Sequence, residues 1–126
     1  MRSQCDGVNY MAMTTQYEQV EPARSAIDAF EGPAVLEFGA PWCGHCQAAQ
    51  PLPASAFSDH PDVRHMKIED GRGQPLGRSY RVKLWPTLIF LDSGKEVARL
   101  VRPTVEISIR HALEQITTDD LESTAI

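Results

Sequence analysis

A short apolar run that ends just before a closely spaced pair of cysteines is the feature that most constrains this chain. Residues 34–38, Ala-Val-Leu-Glu-Phe, lie between Pro33 and Gly39, and Cys43 and Cys46 follow with two residues between them. The run is too short for a helix and suits a strand that is covered on both faces. The cysteine pair is therefore expected in a turn at the end of a buried strand.

The remaining hydrophobic pattern predicts helices and strands that alternate along the chain. The segments with helical or strand spacing are, in chain order, helix 23–30, strand 34–38, a helix from the cysteines to about 57, strand 63–68, helix 74–80, strand 87–91, strand 96–101 and helix 105–116. Turn residues at 92–95 join the last two strands in a hairpin, and Pro51 and Pro53 are expected to kink the helix after the cysteines. This order predicts an α/β fold with a central mixed β-sheet flanked by helices on both faces.

Length and charge exclude several classes of protein. The 126 residues suffice for one domain, expected at 16–118 between a disordered leader at 1–15 and a frayed acidic tail at 119–126. With 17 acidic and 12 basic residues the net charge is −5, which argues against a protein built around nonspecific nucleic-acid binding. The sequence has no apolar run of about 18 residues and no apolar secretory core near its start. We expect a cytoplasmic monomer without nucleic-acid or membrane partners.

The spacing of the two cysteines favours redox chemistry. A helix that begins near Cys43 places Cys46 on the same face, close enough for a disulfide. The unpaired N–H groups at the helix start stabilise a thiolate on Cys43, which would be the nucleophile. Cys46, one turn inside the helix, is better covered and suited to attack the mixed disulfide that Cys43 forms. The turn around Trp42 and Gly44 is expected to expose the nucleophilic sulfur.

Structural zinc and an inert buried pair are the alternatives for these cysteines. Zinc in such sites has four ligands, usually with a second cysteine pair, and the only further cysteine, Cys5, lies in the polar leader. His45 lies between the two cysteines and cannot easily reach the same ion. No metal site is therefore expected, and the exposed turn argues against an inert pair.

The stretch Ala-Pro-Trp-Cys-Gly-His-Cys at 40–46 resembles the thioredoxin family, whose signature is a tryptophan followed by Cys-Gly-x-Cys at the end of a central strand. Pro51 falls where the family has its helix kink, and Trp-Pro-Thr at 85–87 matches the loop whose proline is cis. Gly94 matches the hairpin glycine. The resemblance spans about residues 18–117 and implies the thioredoxin fold.

The resemblance also implies a surface that contacts the substrate. Pro86 would be cis and face the cysteines, with neighbours that present backbone to an extended peptide. A trans proline that merely starts a strand is the alternative that the sequence leaves open. The residues expected to bind substrate are Trp42, Trp85, Pro86 and Thr87.

Glu37 and Lys67 match a charged pair of the family. Glu37 corresponds to a buried acidic position, and burial would let its carboxyl group move a proton to or from Cys46. A glutamate that points to solvent from an edge strand, and a surface lysine, are the alternatives. Gly44 and His45 are expected to tune the redox poise, since a donor near the Cys43 sulfur favours the thiolate. A solvent-facing histidine with little influence is the alternative.

Three departures from the family pattern bear on the choice of partner. Gly39 stands where many thioredoxins carry a tryptophan, and Trp85 replaces a usual aliphatic residue before the proline. Arg102-Pro103 replaces a glycine that keeps the partner groove open.

The sequence thus predicts a thiol-disulfide oxidoreductase that reduces protein disulfides through a reversible Cys43–Cys46 dithiol/disulfide pair. No bound cofactor is expected, and the family suggests recycling by a thioredoxin reductase or another dithiol donor. A disulfide oxidant or isomerase is one alternative, because Cys-Gly-His-Cys resembles protein disulfide isomerase. A binding module with the thioredoxin fold and inconsequential thiols is the other.

Overall fold

The computed structural model describes residue 14 and residues 16–49 and 53–117. The helices in this part of the chain are α1 Arg24–Ala29, α2 Gly44–Ala49, α3 Pro53–Ser58, α4 Pro75–Ser79 and α5 Glu106–Thr117. The strands are β1 Pro33–Gly39, β2 Arg64–Glu69, β3 Thr87–Asp92 and β4 Lys95–Val101. Among the helices in these ranges, none has the length and apolar character needed to cross a membrane.

The strands form one mixed sheet in the order β2-β1-β3-β4. Strand β1 pairs in parallel with β2 and antiparallel with β3, and β3 forms an antiparallel hairpin with β4. Leu36 in β1 is aligned with Met66 on one side and with Ile89 on the other. The predicted mixed sheet is confirmed, and the apolar run before the cysteines is its inner strand.

Helices cover both faces of the sheet, as predicted, because the side chains of β1 alternate between two cores. Val35 packs on one face with α3 and α5, through residues such as Phe57 and Leu113. Leu36 packs on the opposite face with α1 and α4, through residues such as Ile27 and Leu76. Strand β1 is therefore buried on both sides, which accounts for its nearly continuous apolar sequence.

Several expectations concern residues outside the described ranges. The kink expected at Pro51 falls in residues 50–52, which lie outside the described ranges. Pro53 is the first residue of α3, a position where the missing proline N–H costs no helical hydrogen bond. Residues 1–13, with Cys5, and the tail from 118 onward also lie outside the described part of the chain.

The β3–β4 turn explains the glycine of the hairpin. Ser93 and Gly94 both have positive φ, 51° and 83°, which is typical of a tight hairpin turn whose twist matches the strands. A Cβ on Gly94 would collide with the backbone carbonyl oxygen of Asp28 and lie 2.8 Å from its carbonyl carbon. Position 94 therefore needs glycine for two reasons, the backbone angle and the close approach of α1.

A comparison of two glycine substitutions separates these reasons. Gly73→Ala introduces the same strain, at φ 77°, but into open space. We expect Gly73→Ala to lower the free energy of unfolding by about 1 kcal/mol. Gly94→Ala should lower it by about 1–3 kcal/mol more, because backbone atoms must move. Urea unfolding measures both values, and equal losses would contradict the proposed contact with Asp28.

Candidate active site

The two cysteines lie at the start of α2, directly after the turn that follows β1. The Cys43 N–H donates to the Ala40 carbonyl over 3.1 Å, and the Gln47 N–H donates to the Cys43 carbonyl, also over 3.1 Å. The first bond closes the turn after β1, and the second closes the first turn of α2. The backbone N–H of Cys46 points at the Cys43 sulfur, with a nitrogen–sulfur distance of 3.2 Å. An anion on that sulfur is therefore stabilised by a hydrogen bond and by the positive end of the helix dipole.

Trp42 in the turn is exposed, but Cys43 is buried. Trp42 is 72% exposed, whereas Cys43 is only 7% and Cys46 only 3% exposed. Ala40 and Trp85 pack around the two cysteines in a small apolar cluster. The expectation of an exposed nucleophile was wrong, because the Trp85 side chain reaches across from a distant loop, which local sequence does not reveal.

The surroundings of Cys46 favour its protonated form. Burial raises the pKa of the Cys46 thiol to about 11, and the hydrogen bond with Cys43 and the charge of Glu37 act in the same direction. A backbone contact with Ala40 opposes the shift without cancelling it. Both cysteines are free thiols in the structure. Cys46 thus remains a thiol at neutral pH until another group accepts its proton.

Glu37 lies inside the protein and is paired with two side chains of β2. It is 3% exposed, and the edge-strand alternative does not hold because β1 lies between β2 and β3. The His65 ring nitrogen Nε2 is 2.9 Å from Oε1 of Glu37. The Lys67 ammonium is 3.8 Å from Oε2, and Lys67 is buried rather than on the surface. His65 and Lys67 lie on the same face of the sheet as Glu37, because Glu37 is aligned with Lys67 and His65 is two residues earlier in β2.

A backbone contact fixes the tautomer of His65. The Thr14 N–H donates to Nδ1 of His65 over 2.8 Å, so the proton of the neutral ring is on Nε2 and is donated to Glu37. Sequence analysis missed His65. The available signal was its position two residues before Lys67, which places both side chains on one face of a strand.

The Trp85–Pro86 peptide bond is cis, as the resemblance implies. Trp42 packs edge-to-face on Trp85, with ring centroids 5.3 Å apart. The Trp85 indole N–H donates to the Asp70 carboxylate over 2.9 Å. Arg102 donates from Nε to the Trp85 carbonyl and from its backbone N–H to the Pro86 carbonyl, each over 2.8 Å. Asp70 and Arg102 therefore hold the loop, a role that the sequence analysis did not assign to them.

The other predicted site residues lie in different surroundings. Gly44 and His45 are exposed at the start of α2. Thr87 is buried, and its hydroxyl donates to the Leu84 carbonyl over 2.6 Å, so its side chain braces the loop from inside. The described residues contain no group of three or more histidine, cysteine, aspartate or glutamate side chains that could hold a metal ion.

The burial of Cys46 predicts its titration. In a Cys5→Ser, Cys43→Ser variant, Cys46 should form its thiolate with a midpoint well above the usual value of about 8.5. Removing Cys43 takes away two causes of the raised pKa, the hydrogen bond and the charge of Cys43, but leaves burial, the largest one. Thiolate absorbance or alkylation rate against pH gives the midpoint, and the same variant unfolded in urea is the control. An ordinary midpoint in the folded protein would contradict the assigned environment.

The His65–Glu37 contact predicts a context-dependent loss of stability. His65→Leu removes the closer of the two partners of a buried carboxylate and should lower the free energy of unfolding by about 2–4 kcal/mol. In a Glu37→Gln background the same change should cost less, because a neutral amide is easier to bury. His111→Leu, at an exposed position of α5, is the control and should change little. Equal losses in both backgrounds would show that the two residues are not coupled.

Comparison with known proteins agrees with this geometry. A thioredoxin family model matches residues 14–115. The solved structure of reduced thioredoxin 2 from Pseudomonas aeruginosa has a TM-score of 0.75 and 53% identity, and the match covers 85% of this chain and 99% of that one.

Two curated proteins show similarity at different lengths. Thioredoxin-2 of Saccharomyces cerevisiae is 30% identical over 89 residues, which are 71% of this chain and 86% of that protein. Protein disulfide isomerase-like 1-4 of Arabidopsis thaliana is 40% identical over 63 residues, which are 48% of this chain but only 11% of that protein. The chain belongs to the thioredoxin family and is a thiol-disulfide oxidoreductase.

Proposed function

We propose that this protein works in the reducing direction and reduces disulfides of other proteins with Cys43 as the attacking thiol. The observation that carries the proposal is the difference between the two sulfurs. Cys43 receives an N–H hydrogen bond at 3.2 Å, whereas burial keeps Cys46 protonated. A dithiol pair with one ready nucleophile and one reserve thiol is suited to a two-step exchange.

The exchange proceeds in two displacements. The Cys43 thiolate attacks one sulfur of the substrate disulfide, a Cys43–substrate disulfide forms, and the other substrate sulfur leaves as a thiolate that takes a proton. Cys46 then loses its proton and attacks the Cys43 sulfur, which releases the second substrate thiolate. The substrate gains two electrons and the Cys43–Cys46 pair is oxidised. A thioredoxin reductase or another dithiol donor returns it to the dithiol.

Glu37 is the proposed acceptor for the Cys46 proton. Its charge already contributes to the raised pKa of Cys46, which means that the two groups interact through the interior. Lys67 supports the carboxylate form before the transfer, and the His65 N–H occupies Oε1. Oε2 is thereby the oxygen available for proton transfer, directly or through water.

The proposed substrate surface consists of the two tryptophans and the cis-proline loop. Trp42 offers an exposed ring next to Cys43, and the Trp85 ring packs edge-to-face against it. Pro86 and Thr87 would contribute backbone rather than side chain, because both are buried. A single protein chain supplies all these groups, so a monomer suffices for the proposed reaction.

A reducing function requires a compartment that keeps thiols reduced, and we therefore propose the cytoplasm. The second candidate is a disulfide oxidant or isomerase, which His45 and the similarity to an isomerase-like protein favour. Thioredoxin has a reduction potential of about −270 mV and protein disulfide isomerase about −180 mV. We expect an intermediate value from equilibration with glutathione. A value at the isomerase end would favour the second candidate.

Serine substitutions test the two thiol roles and the binding-module alternative. Cys43→Ser should abolish insulin reduction by dithiothreitol, because the attacking sulfur is gone. Cys46→Ser should retain the first displacement and trap a covalent complex with the substrate, visible by non-reducing electrophoresis. Cys5→Ser is the control and should keep full turnover. Turnover by Cys43→Ser, or no trapped complex with Cys46→Ser, would refute the assigned roles.

A further inference from the structure

The end of β1 approaches the Cys46 sulfur closely because position 39 is glycine. A Cβ on Gly39 would lie 2.5 Å from Sγ of Cys46 and 3.2 Å from the hydroxyl oxygen of Tyr17. No side chain fits at position 39 without displacing one of them. The Tyr17 hydroxyl and the Cys46 sulfur therefore lie on the same side of Gly39. A side chain at position 39 would occupy the place where these two groups approach each other.

Tyr17 is held there by contacts with β2. It forms a parallel bridge with Lys67, and the Glu18 N–H donates to the Lys67 carbonyl over 2.8 Å. The Lys67 ammonium lies over the Tyr17 ring, 4.7 Å from its centroid. The same ammonium is 3.8 Å from Glu37. The tyrosine ring and the carboxylate thus hold one cation between them.

The environment of Tyr17 keeps its hydroxyl protonated. Burial raises the pKa of Tyr17 well above its ordinary range, and the negative charges of Cys46, Glu37 and Cys43 add to this effect. A tyrosine that keeps its proton is a hydrogen-bond donor. Cys46 acquires a charge during the proposed reaction, and its charge is the first of those that act on the Tyr17 hydroxyl.

A cavity of about 410 Å³ adjoins this group, lined in part by Tyr17, Cys46, Gln47 and Lys67. Tyr17 and Cys46 both line this cavity, so space next to the two side chains allows the hydroxyl to turn toward the sulfur when charge develops there.

We propose that Tyr17 is a positioning residue for the second displacement, in which its hydroxyl donates a hydrogen bond to the Cys46 thiolate and its ring holds Lys67 beside Glu37. The inference rests on the proposed resolving role of Cys46. In this step the Cys46 proton passes to Glu37, Tyr17 keeps its own proton, the Cys43–Cys46 bond forms, and the substrate thiolate leaves. Tyr17 does not act on the first displacement, which uses Cys43.

The test uses an aromatic disulfide, dithiobis(nitrobenzoate), whose thiolate absorbs visible light. In a Cys5→Ser background, attack by Cys43 releases the first thiolate and attack by Cys46 releases the second. Tyr17→Phe keeps the ring and removes the hydroxyl, so the first phase should be unchanged and the second about tenfold slower, the expected effect of one hydrogen bond to a charged group. Tyr17→Leu also removes the ring over Lys67 and should slow the second phase further.

Tyr80→Phe is the matched control. Its hydroxyl is buried without a hydrogen-bond partner among the described residues, in the core on the opposite face of the sheet, so both phases should be unchanged. An unchanged second phase in Tyr17→Phe overturns the proposal. Absence of a second phase in the parent protein would instead overturn the resolving role of Cys46, so the two failures are distinguishable.

A second measurement covers the case in which Tyr17→Phe disturbs folding. With Tyr10→Phe and Tyr80→Phe, the remaining tyrosine can be replaced biosynthetically by 3-fluorotyrosine, a more acidic donor of nearly the same shape. In the Cys5→Ser, Cys43→Ser form, the titration midpoint of Cys46 should then fall, and with Tyr17→Phe it should rise. Equal midpoints with tyrosine and with 3-fluorotyrosine would overturn the assigned hydrogen bond, and this comparison does not need the Tyr17→Phe variant.

Discussion

The burial of one carboxylate in the inner strand is the constraint on which the site depends. An unpaired charge at Glu37 would cost several kcal/mol, and that cost is offset only by donors brought into register from outside β1. Lys67 is aligned with Glu37 across the parallel β1–β2 pair, and His65 is two residues earlier on the same face. The register of the parallel β1–β2 pair therefore supplies the partners that make a buried carboxylate at position 37 stable. Thr14 fixes the tautomer of one of these partners, His65.

The two thiols differ because a helix begins between them. The first turn of α2 directs the Cys46 N–H at the Cys43 sulfur, whereas the Cys46 side chain is buried beneath Gly39, where the charge of Glu37 acts on it. Local geometry thus stabilises one thiolate and burial disfavours the other. In the proposed reaction the buried acid meets this need, because Glu37 accepts the proton of Cys46 for the second displacement.

Sequence patterns predicted what depends on local spacing, and failed where distant segments meet. The apolar run of β1, the hairpin at Gly94 and the helix start at Cys43 follow from periodicity and turn chemistry, and resemblance to the family supplied Glu37 and Lys67. No role was predicted for His65, Asp70 or Tyr17. Alternation shows which residues share a face of a strand but not which residue of the next parallel strand lies alongside, since a long connection hides the register. The sequence also does not show that Trp85 packs against Cys43, because the two residues are far apart in the chain.

Asp70 shows how separate departures from the family pattern are combined in one structure. Its backbone N–H donates to the Gly39 carbonyl over 2.9 Å, and its carboxylate accepts the Trp85 indole N–H over 2.9 Å. A Cβ on Gly77 would collide with that carboxylate, so α4 approaches closely only because this position is glycine. One residue thereby joins the end of β1, the cis-proline loop and α4. The unusual tryptophan before the proline thus has a hydrogen-bond acceptor at a fixed place, and its ring can cover Cys43 while supporting Trp42.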